Sequence, residues 1–186
     1  TVDSLMTGVK DAVQDLGNSA IAQRKLLDLA KTNLEAISED ENQISNQDKI
    51  ELAVLLMRNA RSYLSISGVG FGNINDAETS LEEVSEVLAN IEINSASDSI
   101  KKSAARIALD REKYLAELSE TRASIEKDLK LRKQYYEKSA SIWSKRIEMG
   151  KEYFTSNYDW KGLEVQWSSL IGLGNALFKL DLNQDA

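Results

Sequence analysis

The chain contains no proline in 186 residues, whereas average usage of about 5% would place roughly nine in a chain of this length. Proline lacks the backbone N–H that an α-helix needs, and its ring clashes with the preceding turn. A chain without proline is therefore free to form long, unbroken helices. Aromatic residues make up only 6% of the sequence, and the frequent residues are good helix formers. An all-α fold is predicted.

The clearest helical pattern lies near the start of the chain. Apolar residues there recur in alternating steps of three and four, which is a heptad seam. Over residues 3 to about 40, this pattern predicts a rod of roughly 55 Å at about 1.5 Å per residue. The seam is formed by Met6, Val9, Val13, Leu16, Ala20, Gln23, Leu27, Ala30, Leu34 and Ile37.

A second long helix is predicted from about residue 98 to 153, and three shorter helices at about 46–66, 76–93 and 160–180. Ser45, Asn75 and Ser97 are candidate N-caps because a side-chain oxygen at that position accepts a free backbone N–H of the first turn. The predicted architecture is an elongated antiparallel helical bundle forming one domain over residues 1–186. The two long helices are compatible with one bundle or with two stacked sub-bundles that share them.

The residue types needed for most catalytic and metal sites are missing. The sequence has no histidine and no cysteine, which removes the commonest general base, the thiolate nucleophile and the usual zinc ligands. A loop at 67–73 contains Gly68, Gly70 and Gly72, but a dinucleotide site would need a preceding strand. The chain is therefore predicted to be non-enzymatic, without metal or cofactor, and the loop to be a connection.

Charge and hydropathy also restrict the partners. The formal net charge is −7, and the basic stretch around Arg132 is interleaved with Glu126, Asp128 and Glu137. Nucleic-acid binders usually carry a concentrated basic surface, so nucleic acid is not an expected partner. No apolar run approaches the roughly 18 residues of a membrane span, and none of this segment is expected to insert into a membrane.

The last predicted helix has a heavy apolar face for its length. Such a face either completes the protein's own core or forms an interface. Burial against the long helix 98–153 is the commoner outcome. The alternative is docking to neighbouring copies or other subunits, as in a secreted or surface assembly protein. The possible interface residues are Trp160, Leu163, Trp167, Leu170 and Phe178.

One stretch resembles a known family. The run Leu56-Met-Arg-Asn-Ala-Arg-Ser-Tyr-Leu64 and the acidic, leucine-containing helix 76–93 resemble the helical-bundle extracytoplasmic sensor domains of bacterial chemoreceptors and related kinases. The predicted long helix with Tyr114 and Leu118 is similar to the return helix of those sensors. The resemblance covers about residues 45–150. It implies a ligand-sensing domain, a small polar ligand held between helices, and a periplasmic or extracellular rather than cytoplasmic location.

Under this resemblance, Arg58 and Arg61 are the candidate ligand-binding residues. They lie three positions apart on an otherwise apolar helix, and a guanidinium can hold a carboxylate through two hydrogen bonds. The structural alternative is that each arginine extends its charged end to water at the edge of the bundle or pairs with a carboxylate of a neighbouring helix. The sequence leaves both alternatives open, together with a protein partner or a homo-oligomer.

Overall fold

A computed structural model describes residues 45–64, 74–156 and 160–182. The predicted helix 3–40 and the glycine-containing loop 67–73 lie outside the described residues. Within them the fold is all-α, which confirms the predicted class. The described helices, in chain order, are α1 (Asn46–Leu64), α2 (Ile74–Ala89), α3 (Asp98–Ile125), α4 (Leu129–Ser156) and α5 (Trp160–Leu182).

The chain divides into two compact units, one up to Ile107 and one from Ala108 onward. In the first unit, α1 and α2 pack antiparallel. Lys49 at the start of α1 donates from Nζ to the carbonyl oxygen of Asn90, just after α2 (2.8 Å). Further along α1, Asn59 donates from Nδ2 to Ser80 Oγ, which lies earlier in α2 (3.1 Å). The two pairings run in opposite directions along the helices, as antiparallel packing requires.

Buried side chains surround much of α1, so this helix is buried on more than one flank. Consecutive residues on a helix point about 100° apart, so three adjacent buried residues span more than one side. The buried apolar residues of α1 are Ile50, Ala53, Leu55, Leu56, Met57, Ala60 and Tyr63. In α2 the corresponding residues are Ala77, Leu81 and Val84.

Two of the three predicted N-caps are confirmed. Ser45 Oγ accepts the backbone N–H of Asp48 (3.1 Å), and the Asp48 carboxylate accepts the N–H of Ser45 in return (3.2 Å), which is a reciprocal capping box. Ser97 Oγ accepts the N–H of Ile100 at the start of α3 (3.4 Å). The prediction for Asn75 is wrong, because α2 begins at Ile74 and Asn75 lies inside it.

The prediction of one helix from 98 to 153 is also wrong. The segment forms two helices of 28 residues each, α3 and α4, separated by residues 126–128. Asp128 caps α4, since its Oδ1 accepts the N–H of Leu131 (3.0 Å). Arg132 donates from Nε and Nη2 to the carbonyl oxygen of Glu126 (3.0 and 2.6 Å). These contacts satisfy backbone groups that a continuous helix would have paired internally.

The second unit contains the C-terminal part of α3 together with α4 and α5. Hydrogen bonds from Ser139 to Glu120 (3.0 Å) and from Lys145 to Glu112 (2.9 Å) show that α3 and α4 run antiparallel. The α5 helix returns along α4, with Gly172 against Trp143. Near the other end of the α4–α5 pair, Gly150 lies against Val165. The apolar centre of this unit is the cluster of Ala116, Trp143 and Ala176.

Candidate functional site

The most prominent surface of the second unit is one side of α5. Its exposed apolar residues follow helical steps of three and four, so they form one stripe along the helix. The largest are Trp160, 78% exposed, Trp167, 69% exposed, and Phe178, 64% exposed. We call this stripe the outer face of α5. It consists of Trp160, Leu163, Trp167, Leu170, Ile171, Gly174, Leu177 and Phe178.

The opposite side of α5, which we call its inner face, is made of small residues in the same spacing. They are buried and lie towards α4. The indole ring of Trp143 lies so close to Gly172 that a Cβ atom added there would overlap with the ring. Only glycine permits this approach. The inner face consists of Gly162, Val165, Ser169, Gly172 and Ala176.

The expectation that the large apolar face would bury against the preceding helix is therefore wrong. The α5 helix does pack on α4, but through its inner face. The reason is steric: the small residues of the inner face leave room for the Trp143 ring of α4, which supplies the bulk of this interface. The interface residues predicted from the sequence, Trp160, Leu163, Trp167, Leu170 and Phe178, all lie on the outer face and are exposed.

A buried arginine joins the three helices beneath the inner face. Arg146, only 2% exposed, donates from Nε to the carbonyl oxygen of Leu109 in α3 (2.8 Å). Its Nη1 donates to three oxygens of α5, namely the Val165 carbonyl (3.1 Å), Ser168 Oγ (2.8 Å) and Ser169 Oγ (2.6 Å). The guanidinium thus fixes α3 and α5 against α4.

The electrostatics of this region follow from burial. Burial lowers the pKa of Arg146, and the nearby Asp110 carboxylate acts in the opposite direction. Burial also raises the pKa of Glu117, which Lys113 partly opposes. Arginine is not deprotonated in proteins, so Arg146 is a buried cation that needs these hydrogen-bond acceptors.

Arg146 and two carboxylates of α3, Glu120 and Glu112, form what we call the inner polar layer. Glu120 accepts hydrogen bonds from Ser139 Oγ (3.0 Å) and Trp143 Nε1 (2.9 Å) and pairs with Lys179 of α5 (3.3 Å).

Glu112, which is buried, accepts from Lys145 (2.9 Å) and from its neighbour Arg111 (3.1 Å). Because these charges are paired within the protein, the layer orients the helices and carries no evident reactive group.

Arg58 and Arg61 lie one turn apart on α1, and both are exposed. The structure thus places them on the same side of the helix, where the guanidinium groups reach water. Their predicted role in binding a small polar ligand stays a prediction.

Arg146, Glu120 and Ser169 were not among the site residues predicted from the sequence. The only sequence signal for Arg146 is its position one turn after Trp143 on an apolar stripe.

Two further properties bear on function. Among residues 45–64, 74–156 and 160–182, no group of three or more acidic side chains is arranged to hold a metal ion. In the same part of the chain, no helix is both long enough and apolar enough to cross a membrane. The outer face of α5 exposes large aromatic side chains to solvent, and this exposure needs an explanation.

No family model, curated protein or solved structure matches the chain. The resemblance to extracytoplasmic sensor domains stays a prediction, and function has to be argued from the surface itself.

Proposed function

We propose that this chain is a non-enzymatic assembly module that associates with further copies of itself through the outer face of α5. The observation that supports the proposal is the exposure of that face. The side chains of Trp160, Trp167 and Phe178 are mostly exposed. Together these three side chains present on the order of 500 Å² of apolar surface. Monomeric proteins rarely expose contiguous apolar patches larger than a few hundred Å².

The composition of the face supports a protein partner. Tryptophan and phenylalanine are enriched at the centres of protein interfaces, where they dominate the binding energy. The face lies on a helix that Arg146 and Trp143 hold in place from behind. A rigid, preorganised face loses little conformational entropy when a partner binds.

Sedimentation velocity on the full chain, from micromolar to millimolar concentration, tests the proposal. We expect concentration-dependent association of the unmodified chain. The variant Leu170→Asp should stay monomeric with an unchanged melting temperature, because Leu170 is 55% exposed and a charge there opposes docking. The matched control Ser141→Asp adds the same charge at an exposed position of α4 and should associate like the unmodified chain. A chain that sediments only as a monomer over the whole range overturns the proposal.

A second candidate function is the extracytoplasmic ligand-sensing domain that the resemblance implies. Arg58 and Arg61 lie one turn apart and exposed on α1, so a carboxylate from solvent could reach both guanidinium groups, although exposure is also what the structural alternative predicts. A thermal-shift screen of small organic acids and amines tests it, because selective binding to the folded state raises the melting temperature. The response to an acid should disappear in Arg58→Ala/Arg61→Ala. If that variant binds every anion as the unmodified chain does, the two arginines form no ligand site.

A further inference from the structure

Most of the outer face of α5 has the same pattern in both chain directions. Around the midpoint between Leu170 and Ile171, the face positions 163, 167, 170, 171, 174 and 178 are separated by four, three, one, three and four residues, whereas Trp160 and Leu177 lie outside this pattern. Each of the six positions therefore has a counterpart at an equal distance on the other side of the midpoint. The pairs are Leu163 with Phe178, Trp167 with Gly174, and Leu170 with Ile171.

This symmetry has a structural meaning for a pair of identical helices. A two-fold axis brings the same patch of two copies together, so the patch must be complementary to itself. When two identical helices pack antiparallel around a midpoint, each residue lies opposite its counterpart from the other copy. Resting on the docking function proposed above, we propose that the occupant of this face is α5 of a second copy of the chain. The copies pack antiparallel around the Leu170–Ile171 midpoint, and Trp167 of each lies over Gly174 of the other.

Gly174 gives an independent reason for this arrangement. It is exposed in the interior of α5, and a Cβ atom there would meet no heavy atom within 4 Å among the described residues. Glycine inside a helix is less stable than alanine by about 0.8–1.0 kcal/mol, so its presence there calls for a cause. For Gly172 the cause is the Trp143 ring, which leaves no space for a Cβ atom. An indole ring of a second copy would supply the same kind of cause for Gly174.

The charges of α5 fit the same arrangement. The outer stripe itself carries no charged residue from Trp160 to Phe178. Trp160 lies opposite Asp181, and both are exposed, so an indole N–H donor faces a carboxylate acceptor. Glu164 lies opposite Leu177, which keeps this carboxylate away from its own counterpart. No like charges among the described side chains of α5 are brought face to face.

The available surface is sufficient for a dimer. Two copies would together bury on the order of 1,000 Å² from their aromatic side chains alone, which reaches the size at which specific interfaces begin, about 1,000 Å². The aliphatic residues of the face, Leu163, Leu170, Ile171 and Leu177, add to this area.

Disulfide cross-linking of the full chain tests the arrangement. Because the sequence contains no cysteine, every cross-link must involve the introduced residues. Leu163→Cys and Phe178→Cys are prepared as separate variants and oxidised alone or mixed. In the antiparallel pair each cysteine lies about 22 Å from its own copy along the helix axis, beyond the Cα separation of about 7 Å that a disulfide allows. Cross-linked dimers should therefore form in the mixture and not in either variant alone.

The other outcomes are separable. Cross-links within either variant alone indicate parallel helices and overturn this arrangement, while association through α5 stands. Absence of cross-links in every sample overturns it too, and sedimentation of the unmodified chain then decides separately whether the docking function survives. A chain that stays monomeric because its own residues 3–40 cover the face overturns both proposals.

A swap of the opposed residues gives a second test. Gly174→Trp removes the space for the opposing indole and should weaken self-association about tenfold or more. Trp167→Ala/Gly174→Trp exchanges the large and small positions and should restore association, since each new indole again faces a small residue. Self-association of Gly174→Trp at the strength of the unmodified chain overturns the Trp167–Gly174 contact.

Discussion

The two faces of α5 differ in a way that reverses the usual relation between side-chain size and burial. The inner face is built from small residues such as Gly172 and Ser169 and is buried, whereas the outer face carries Trp160, Trp167 and Phe178 and is exposed. The inner face obtains its packing from a tryptophan and an arginine of α4. The outer face has large side chains but no such partner in the described residues of its own unit.

This difference indicates that the two faces of α5 serve different kinds of contact. Small residues permit close approach of backbones and polar contacts at fixed distances, which suits a permanent interface within the chain. Large, exposed aromatics offer binding energy that is released only when another surface covers them. Substitutions on the inner face should therefore change the free energy of unfolding, and substitutions on the outer face should change association.

The largest effect on the inner face is expected from Arg146→Ala. Removing the guanidinium takes one hydrogen-bond donor from the buried Ser169 hydroxyl and one from each of the Leu109 and Val165 carbonyl oxygens, and it leaves an unfilled space among the three helices. The free energy of unfolding should fall by about 2–4 kcal/mol, as for other buried polar networks that lose one member. Denaturant unfolding followed by circular dichroism measures it.

The control for that variant is Lys151→Ala. Lys151 forms an exposed ion pair with Glu148 (2.7 Å), with side chains 58% and 69% exposed. Such pairs contribute little, so the control should change stability by less than about 1 kcal/mol. If Arg146→Ala is no more destabilising than Lys151→Ala, the guanidinium does not hold the inner face in place.

The next largest effect is expected from the same substitution, glycine to alanine, made on the inner and on the outer face of α5. Gly172→Ala places a methyl group against the Trp143 ring and should destabilise the chain by about 1–3 kcal/mol, because an overpacked interface must shift. Gly174→Ala, only two residues away, meets open space. It should stabilise the folded monomer by up to about 1 kcal/mol through helix propensity. Thermal unfolding at low protein concentration separates the two, and equal shifts would contradict the distinction between the faces.

The sequence alone predicted those features of the molecule that depend on the spacing and type of its residues. The steps of three and four gave the apolar stripe of α5, and the absence of proline gave the all-α class. Spacing does not say which side of a helix faces the protein. The inner stripe went unnoticed because glycine, serine and alanine give no hydropathy signal, although Trp143 and Gly172 together determine the packing.

The break between α3 and α4 shows a second limit. Helix ends are usually signalled by glycine or proline, and residues 126–128 contain neither. The turn depends on Asp128 as a cap and on Arg132, whose guanidinium reaches back to the Glu126 carbonyl. A cap of this kind cannot be identified from the sequence unless a helix break is already expected at that position. Arg58 and Arg61 lie on one side of α1, but their spacing alone does not say whether they bind a ligand.

The smallest effect should come from Glu117, beside the inner polar layer. Burial raises the pKa of this carboxyl above its usual 4.5, with Lys113 acting in the opposite direction. The folded chain therefore holds this proton more tightly than the unfolded chain does. The resulting stabilisation is fully present below the unfolded pKa and is lost as pH rises through the folded pKa.

Glu117→Gln removes the charge at every pH, so the variant should gain stability relative to the unmodified chain as pH rises through that interval. Melting temperatures between about pH 4 and pH 8 measure the difference, which should grow across the interval and then level off. Glu148→Gln removes the same charge at a side chain that is 69% exposed and is the control for the general effect of the substitution. A Glu117→Gln difference that is constant with pH would mean that burial does not raise the pKa of Glu117 in the folded chain.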